Sequence, residues 1–139
     1  GTGEWQYEEA FRNAQGQYPG RFAAHLAYSP ALSNLVYAGS DLFLMPSVSE
    51  PFGISPLEAM QMGVPSIISK QSGCAEILNN VIKTDYWDID AMADAINSII
   101  TYPAMYKQLR EDGLKEVAQI TWDKAGRKVI DIYNKVLNR

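Results

Sequence analysis

The chain has 139 residues, 47% hydrophobic and 20% charged, a composition suited to one globular domain with a buried core. Twelve Lys and Arg against sixteen Asp and Glu leave a formal charge of -4, and no basic stripe or Lys/Arg run exists, which argues against a nucleic-acid partner and leaves any phosphate to a local site. The one cysteine, Cys74, excludes an internal disulfide and a cysteine-built metal site, and no apolar run approaches the ~20 residues of a membrane-spanning helix.

In chain order, the apolar spacing Tyr7, Ala10, Phe11, Ala14 predicts an amphipathic helix from Trp5 to Ala14. A turn at residues 17–20 leads to a short strand over Arg21–Tyr28, and Ser29-Pro30 opens a helix that ends near Gly39. Asp41–Met45, closed by Pro46, has the continuous apolar character of a strand buried on both faces. Ser47–Gly53 is loop, Ser55–Met62 a helix stopped at Gly63, and Pro65–Ser69 a second buried strand. Val81–Thr84 is a third, short strand. Helices follow over Ala91–Ile100, Pro103–Ala118 and Trp122–Leu137, with Asp90, Thr101 or Tyr102, and Thr121 placed to start them. Strands alternating with helices predict an α/β fold with a mainly parallel sheet, and ligands of such sheets sit beyond the carboxyl ends of the strands.

The loop after Met45 is at such an end. The stretch from Pro46 to Met60 runs from a buried strand, through a Pro/Gly-punctuated loop, into a helix. Ser55-Pro56-Leu57-Glu58 has the form of a capping box with proline at the first helical position. The free N–H groups and dipole of that helix start favour an anion such as a diphosphate, and Gly53 lets the backbone approach a ligand closely. Glu50 and Glu58 bracket the loop with seven residues between them. Were the whole segment helical they would be about 12 Å apart in rise and about 80° in azimuth, but Pro51, Gly53 and Pro56 put Glu50 in the loop and Glu58 in the first helical turn. That suits two ends of one elongated ligand better than the acid/base pair of a glycoside hydrolase, whose carboxyl groups flank one bond.

The run Glu50-Pro-Phe-Gly-Ile-Ser-Pro-Leu-Glu58-Ala-Met, followed by Gly63-Val-Pro65, resembles the Glu-x7-Glu signature of retaining GT-B glycosyltransferases. Tyr7-Glu-Glu-Ala-Phe, Tyr18-Pro-Gly-Arg21 and Tyr37-Ala-Gly-Ser-Asp-Leu-Phe-Leu-Met-Pro-Ser47 are similar to bacterial glycogen and starch synthases. Ser69-Lys-Gln-Ser-Gly73 stands where that family has a Thr-Gly-Gly-like loop, with Cys74 in place of the second glycine. The resemblance implies a Rossmann-like parallel sheet flanked by helices, a single donor-binding domain over residues 1–139, and the C-terminal half of a GT-B enzyme. It implies that Glu50 is the catalytic-site carboxylate on the sugar and that Phe52, Gly53 and Ile54 bind the sugar through their amides. Ser55, Pro56 and Leu57 would lie at the diphosphate, Glu58 at the ribose and Tyr28 at the base.

On the same resemblance the activity is hexosyl transfer, glucose from ADP- or UDP-glucose to an α-glucan. The partners implied are a nucleotide sugar and, through an N-terminal domain preceding Gly1, a carbohydrate acceptor. A basic Arg/Lys clamp for the diphosphate would also precede Gly1, so the 139 residues alone are expected to be inactive. No cofactor or metal beyond the donor is implied, and the location implied is cytoplasmic. Two alternatives stay open: a related group 1 transferase moving another sugar to a polysaccharide, lipid or small acceptor, and a nucleotide-binding module without catalysis.

Other residues have ordinary readings. Glu58 in a capping box needs no substrate. Gly53 also reads as a turn glycine and Cys74 as a small buried residue without a histidine neighbour in sequence. His25 lies within the expected strand, Asp88 and Asp90 read as turn and cap residues, Trp87 and Trp122 as packing anchors, and Lys70 as a solvated lysine. The helical tail from Pro103 is expected to leave an apolar patch exposed and to promote self-association.

Overall fold

The computed structural model describes residues 3–137, which form six α-helices and three strands. They divide into two compact units, the chain up to Val36 and the chain from Tyr37.

The first unit holds α1 (Trp5–Gln17) and most of α2 (Pro30–Ala38). Phe11 of α1 stacks on Phe22 with parallel rings 6.1 Å apart. The strand expected at Arg21–Tyr28 is not formed. Its period-two pattern survives as alternating exposure, with Phe22, Ala24 and Leu26 half-buried and Arg21, Ala23, His25 and Ala27 exposed. A strand requires a ladder, and the Ala24 amide bonds instead to the Gln15 side chain at 2.7 Å.

The second unit contains a parallel sheet of β1 (Phe43–Met45), β2 (Ser66–Ser69) and β3 (Ile82–Thr84), in that spatial order. Leu44 pairs with Ile67 and Ile68 with Lys83. Being central, β2 is buried throughout, and its alternation sends successive side chains to opposite faces. Ile68 packs with Leu57, Met60, Leu78 and Val117, while Ile67 packs with Ala95 and Ile99. Both isoleucines are fully buried, each burial stabilising the fold by roughly 1.5–3 kcal/mol. Helix α3 (Ser55–Gln61) thus serves one face and α4 (Ile89–Thr101) the other, while α5 (Pro103–Val117) contributes to both, Val117 to the first and Met105, Tyr106 and Leu109 to the second.

The expected burial of β1 on both faces is corrected: Leu44 is 39% exposed, because β1 is an edge of this sheet and only β2 lies beside it. Asp88 rather than Asp90 caps α4, accepting from the Ala91 amide at 2.9 Å, whereas Thr121 caps α6 (Trp122–Leu137) through the Lys124 amide, as the sequence predicts. Trp87 and Trp122 are not packing anchors; both are exposed, Trp122 at 90%. No residue of α6 is buried, and Val129, Ile132, Tyr133 and Val136 lie open along it. Among the described residues no helix is long and apolar enough to cross a membrane.

Candidate functional site

The carboxyl ends of β1 and β2 carry two loops that are fastened to each other. Ser69 at the end of β2 donates its hydroxyl to the Ser47 carbonyl at 2.6 Å, and Ser72 donates to the Ser69 carbonyl at 2.6 Å. The Gly73 amide then donates to the Glu50 carbonyl at 2.9 Å and the Cys74 amide to the Phe52 carbonyl at 2.7 Å. Glu50 and Ser72 form an isolated parallel bridge, so the pairing of β1 with β2 is resumed beyond the strands. These bonds hold residues 47–52 against residues 69–74 through main-chain groups, which leaves the Glu50 side chain available.

Glycine is required on both sides of this seam. Gly53 has φ +88°, a conformation L side chains rarely adopt, and a Cβ there would lie 3.0 Å from Met45 Cε and 3.2 Å from Glu50 Cγ. The Glu50 side chain therefore rests over the bare face of Gly53, beside the end of β1. Gly73 lies closer still to its neighbour, with a would-be Cβ 2.0 Å from the Pro51 carbonyl oxygen. The 3₁₀ turn Gly73–Glu76 that follows buries Cys74, whose thiol lies 3.5 Å from the Ser72 hydroxyl.

The start of α3 differs from the sequence expectation. Ser55 is the first helical residue, Ile54 occupies the cap position in helical geometry, and no side chain caps the helix. The Ser55–Glu58 capping box is absent, because a cap residue must be extended to turn its side chain back onto the first amides. The Leu57 and Glu58 amides both donate to the Ile54 carbonyl, at 2.9 and 3.1 Å. Pro56 has no N–H, and Pro56 and Leu57 are buried. The free donors thus lie upstream of the turn expected to supply them: among the described residues, the amides of Phe52, Gly53, Ile54 and Ser55 make no backbone hydrogen bond. Phe52 and Ile54 are 38% and 61% exposed.

Released from capping, Glu58 is exposed and meets a residue the sequence reading passed over. Tyr37, at the end of α2, sets its ring edge-on against Phe43 at 5.7 Å, near enough to Glu58 for that carboxylate's charge to act on the phenol. Burial raises the Tyr37 pKa; the neighbouring Ser55 hydroxyl opposes this, and the Glu58 charge adds to the rise. A phenol and a carboxylate some twenty positions apart carry no local signal, so only the fold could unite them.

The structure thus gathers Glu50 with Gly53, and Ser55 with Glu58, at adjoining points of one loop–helix segment. Phe52, Ile54, Leu57 and Glu58 also line a cavity of about 440 Å³ that reaches Trp122. Tyr28 belongs to the first unit and is 84% exposed. Lys70 is not a freely solvated lysine; it pairs with Asp85 at 2.8 Å, and that bond, with one from Gln71, holds the Asp85 pKa below the usual carboxylate range.

Comparison with known proteins places this segment. Residues 23–116, well over half of the chain and including all of the loop–helix segment, match the family described as glycosyl transferases group 1. A glycogen synthase of Trichodesmium erythraeum is 32% identical over 149 residues, covering 99% of this chain and 32% of that protein. The chain spans about a third of the length of the curated relatives it matches. Sucrose-phosphate synthase from Thermosynechococcus elongatus superposes with a TM-score of 0.77 at 22% identity, over 99% of this chain and 37% of that one. Anabaena HepE, solved in complex with UDP-glucose, gives 0.78 at 19% identity, over 96% of this chain and 38% of that one. With the family match over the site and this likeness of fold, the chain belongs to the group 1 glycosyl transferases and has the Rossmann-like α/β fold of a GT-B C-terminal domain.

Proposed function

We propose that this chain is the donor-binding part of a retaining hexosyltransferase that moves glucose from ADP- or UDP-glucose to an α-glucan. The observation that carries the reading is the packing of Glu50 over Gly53, at the loop end of a parallel strand and inside the family-matched segment. A carboxylate with its main chain tied back and its side chain laid beside unbonded amides offers acceptors and donors side by side, the complement of a sugar's hydroxyls.

In this reading Glu50 is the catalytic-site carboxylate that accepts from hydroxyls of the transferred sugar, and the amides of Phe52, Gly53 and Ile54 donate to the same sugar. The diphosphate lies at Ser55–Leu57, where the Ser55 amide and hydroxyl supply the polar contacts and Pro56 and Leu57 supply the packed wall. Fixed donors at the leaving diphosphate stabilise the charge that develops as the glycosidic bond breaks. Glu58 accepts from the ribose hydroxyls; the base contact assigned to Tyr28 rests on the family resemblance alone. The acceptor is held by parts of the longer protein. The choice of glucan synthesis over other group 1 chemistry follows the glycogen synthase relatives. The HepE complex with UDP-glucose is consistent with a nucleotide-sugar donor.

Titration of the protein with ADP, UDP and their glucose conjugates tests the proposal. The expected result is tighter binding of one glucose conjugate than of its bare nucleotide, with the difference lost in Glu50→Ala. Equal affinity for nucleotide and conjugate would instead identify a nucleotide-binding module without transfer. Labelled donors supplied to the intact polypeptide with glycogen decide the acceptor: transfer to another acceptor only would shift the assignment to the wider group.

A further inference from the structure

We propose that Met45 is a positioning residue for Glu50: the end of its side chain fills the space over Gly53 beside the Glu50 stem and so limits the directions in which the carboxylate can point. The inference rests on the donor-site reading above, in which that carboxylate accepts from hydroxyls of the transferred sugar.

Gly53 has no side chain, and two residues from different stretches close on the position its Cβ would take. Met45, the last residue of β1, brings Cε to 3.0 Å and Sδ to 3.3 Å of that point, and Glu50, in the loop, brings Cγ to 3.2 Å. The carboxyl group hangs from Cγ, so whatever stands beside Cγ decides which rotamers remain open to it. Met45 is held at its base: it pairs with Ile68 in the sheet and packs against the core of Leu57, Met60, Ile68 and Cys74. The main chain of Glu50 is fixed as well, by the Gly73 amide and the bridge to Ser72. What freedom Glu50 keeps is therefore in its side chain, which is half-buried and makes no ion pair among the described residues. A glutamate loses rotamer freedom when it meets a ligand, and a wall that has already excluded some rotamers lowers that cost. A thioether suits the task. It has no donor to claim the carboxylate oxygens, so both stay open to sugar hydroxyls, and its unbranched chain follows an irregular gap. The approach is made by the last two atoms of the side chain, so a shorter residue in the same strand would leave the gap empty.

The test measures, by calorimetry, binding of ADP, UDP and their glucose conjugates to the wild type, Met45→Val, Met45→Leu, Glu50→Ala and the double variant of Met45→Val with Glu50→Ala. Valine suits a strand and lacks both terminal atoms, whereas leucine nearly keeps the volume and gives up only the terminal methyl. The expected result in Met45→Val is a loss of about fivefold in affinity for the preferred glucose conjugate, the order of freeing one side chain, with bare nucleotide bound like wild type. Met45→Leu should recover most of that loss, and Met45→Val should add nothing in the Glu50→Ala background. The methyl NMR signal of Met45 in the wild type gives a reading independent of how any variant folds: it should move on addition of the conjugate and stay near its free position with the bare nucleotide. Should Met45→Val retain the full glucose preference, or the conjugate leave the methyl signal unmoved, the positioning role fails, and loss of the preference in Glu50→Ala keeps the donor site standing. Equal weakening of nucleotide and conjugate, or a further loss in the double variant, would make Met45 merely structural and also overturn it. A wild type without preference for a glucose conjugate, or a Glu50→Ala that keeps the preference, removes the donor-site reading and this inference together.

Discussion

Gly73 presses its α-carbon against the Pro51 carbonyl so closely that a Cβ added there would stand 2.0 Å from the oxygen. The contact is with main chain, so no side-chain rotation relieves it. It brings the two loops beyond β1 and β2 within reach of the Gly73–Glu50 and Cys74–Phe52 hydrogen bonds.

Gly73→Ala therefore has to part the seam. It should destabilise the protein by about 1–3 kcal/mol, the usual cost of forcing a methyl group into a packed site. Gly126→Ala, in α6 where a Cβ meets nothing within 4 Å, should stabilise by about 0.5–1 kcal/mol through helix propensity. Urea unfolding of both variants checks the pair; comparable stability of the two would show that the seam is not tight.

Gly53→Ala separates stability from ligand recognition. The φ of +88° costs an alanine about 1–2 kcal/mol, and the new methyl group meets the flexible end of Met45, which can move, and the Glu50 side chain. Global stability should fall modestly while Glu50 is displaced. The glucose-dependent part of nucleotide affinity should then be lost, as in Glu50→Ala, with bare ADP or UDP affinity nearly kept. Calorimetric titration of each ligand reads the two effects apart, and retained preference for the glucose conjugate would count against Glu50 as the sugar contact.

Away from the site, Glu116 on α5 secures the turn before β3. One carboxylate oxygen accepts from the Asn79 amide and side chain at 2.8 and 3.0 Å, and the other from those of Asn80 at 2.8 and 3.0 Å. Burial raises its pKa, but these four bonds outweigh it and hold the group below the ordinary glutamate range. The ionised form is thus the one the fold prefers. Its stabilisation is complete above the unfolded-state value and is lost as pH falls through the lower folded-state value. Glu116→Ala should cost about 1–3 kcal/mol near neutrality by stripping the partners from two backbone amides. The difference from wild type should shrink in strongly acidic solution. Thermal unfolding at neutral and acidic pH measures both, and a pH-independent difference would refute the charge-based account.

The sequence by itself determined the order of helices and strands from Pro30 onward, because each element is specified locally, by apolar period and by the prolines and glycines that punctuate it. Pro65–Ser69 read as a strand buried on both faces, and β2 is buried at every position. The same logic applied to Asp41–Met45 failed in part, and the strand at Arg21–Tyr28 did not form. Composition records how apolar a segment is, while burial and pairing depend on which strand lies beside it. At the site, the spacing of Glu50, Gly53 and Glu58 was legible, since loop and helix start are contiguous in sequence. Only the tertiary structure decided that Ser55 is helical rather than a cap, that the unbonded amides lie at residues 52–55, and that Tyr37 and Glu58 are neighbours. Those outcomes turn on backbone angles and on side chains brought together from different elements. The Tyr37 ring is set by its contact with Phe43, and the loop before α3 by the Gly73–Glu50 and Cys74–Phe52 hydrogen bonds, which no local pattern encodes.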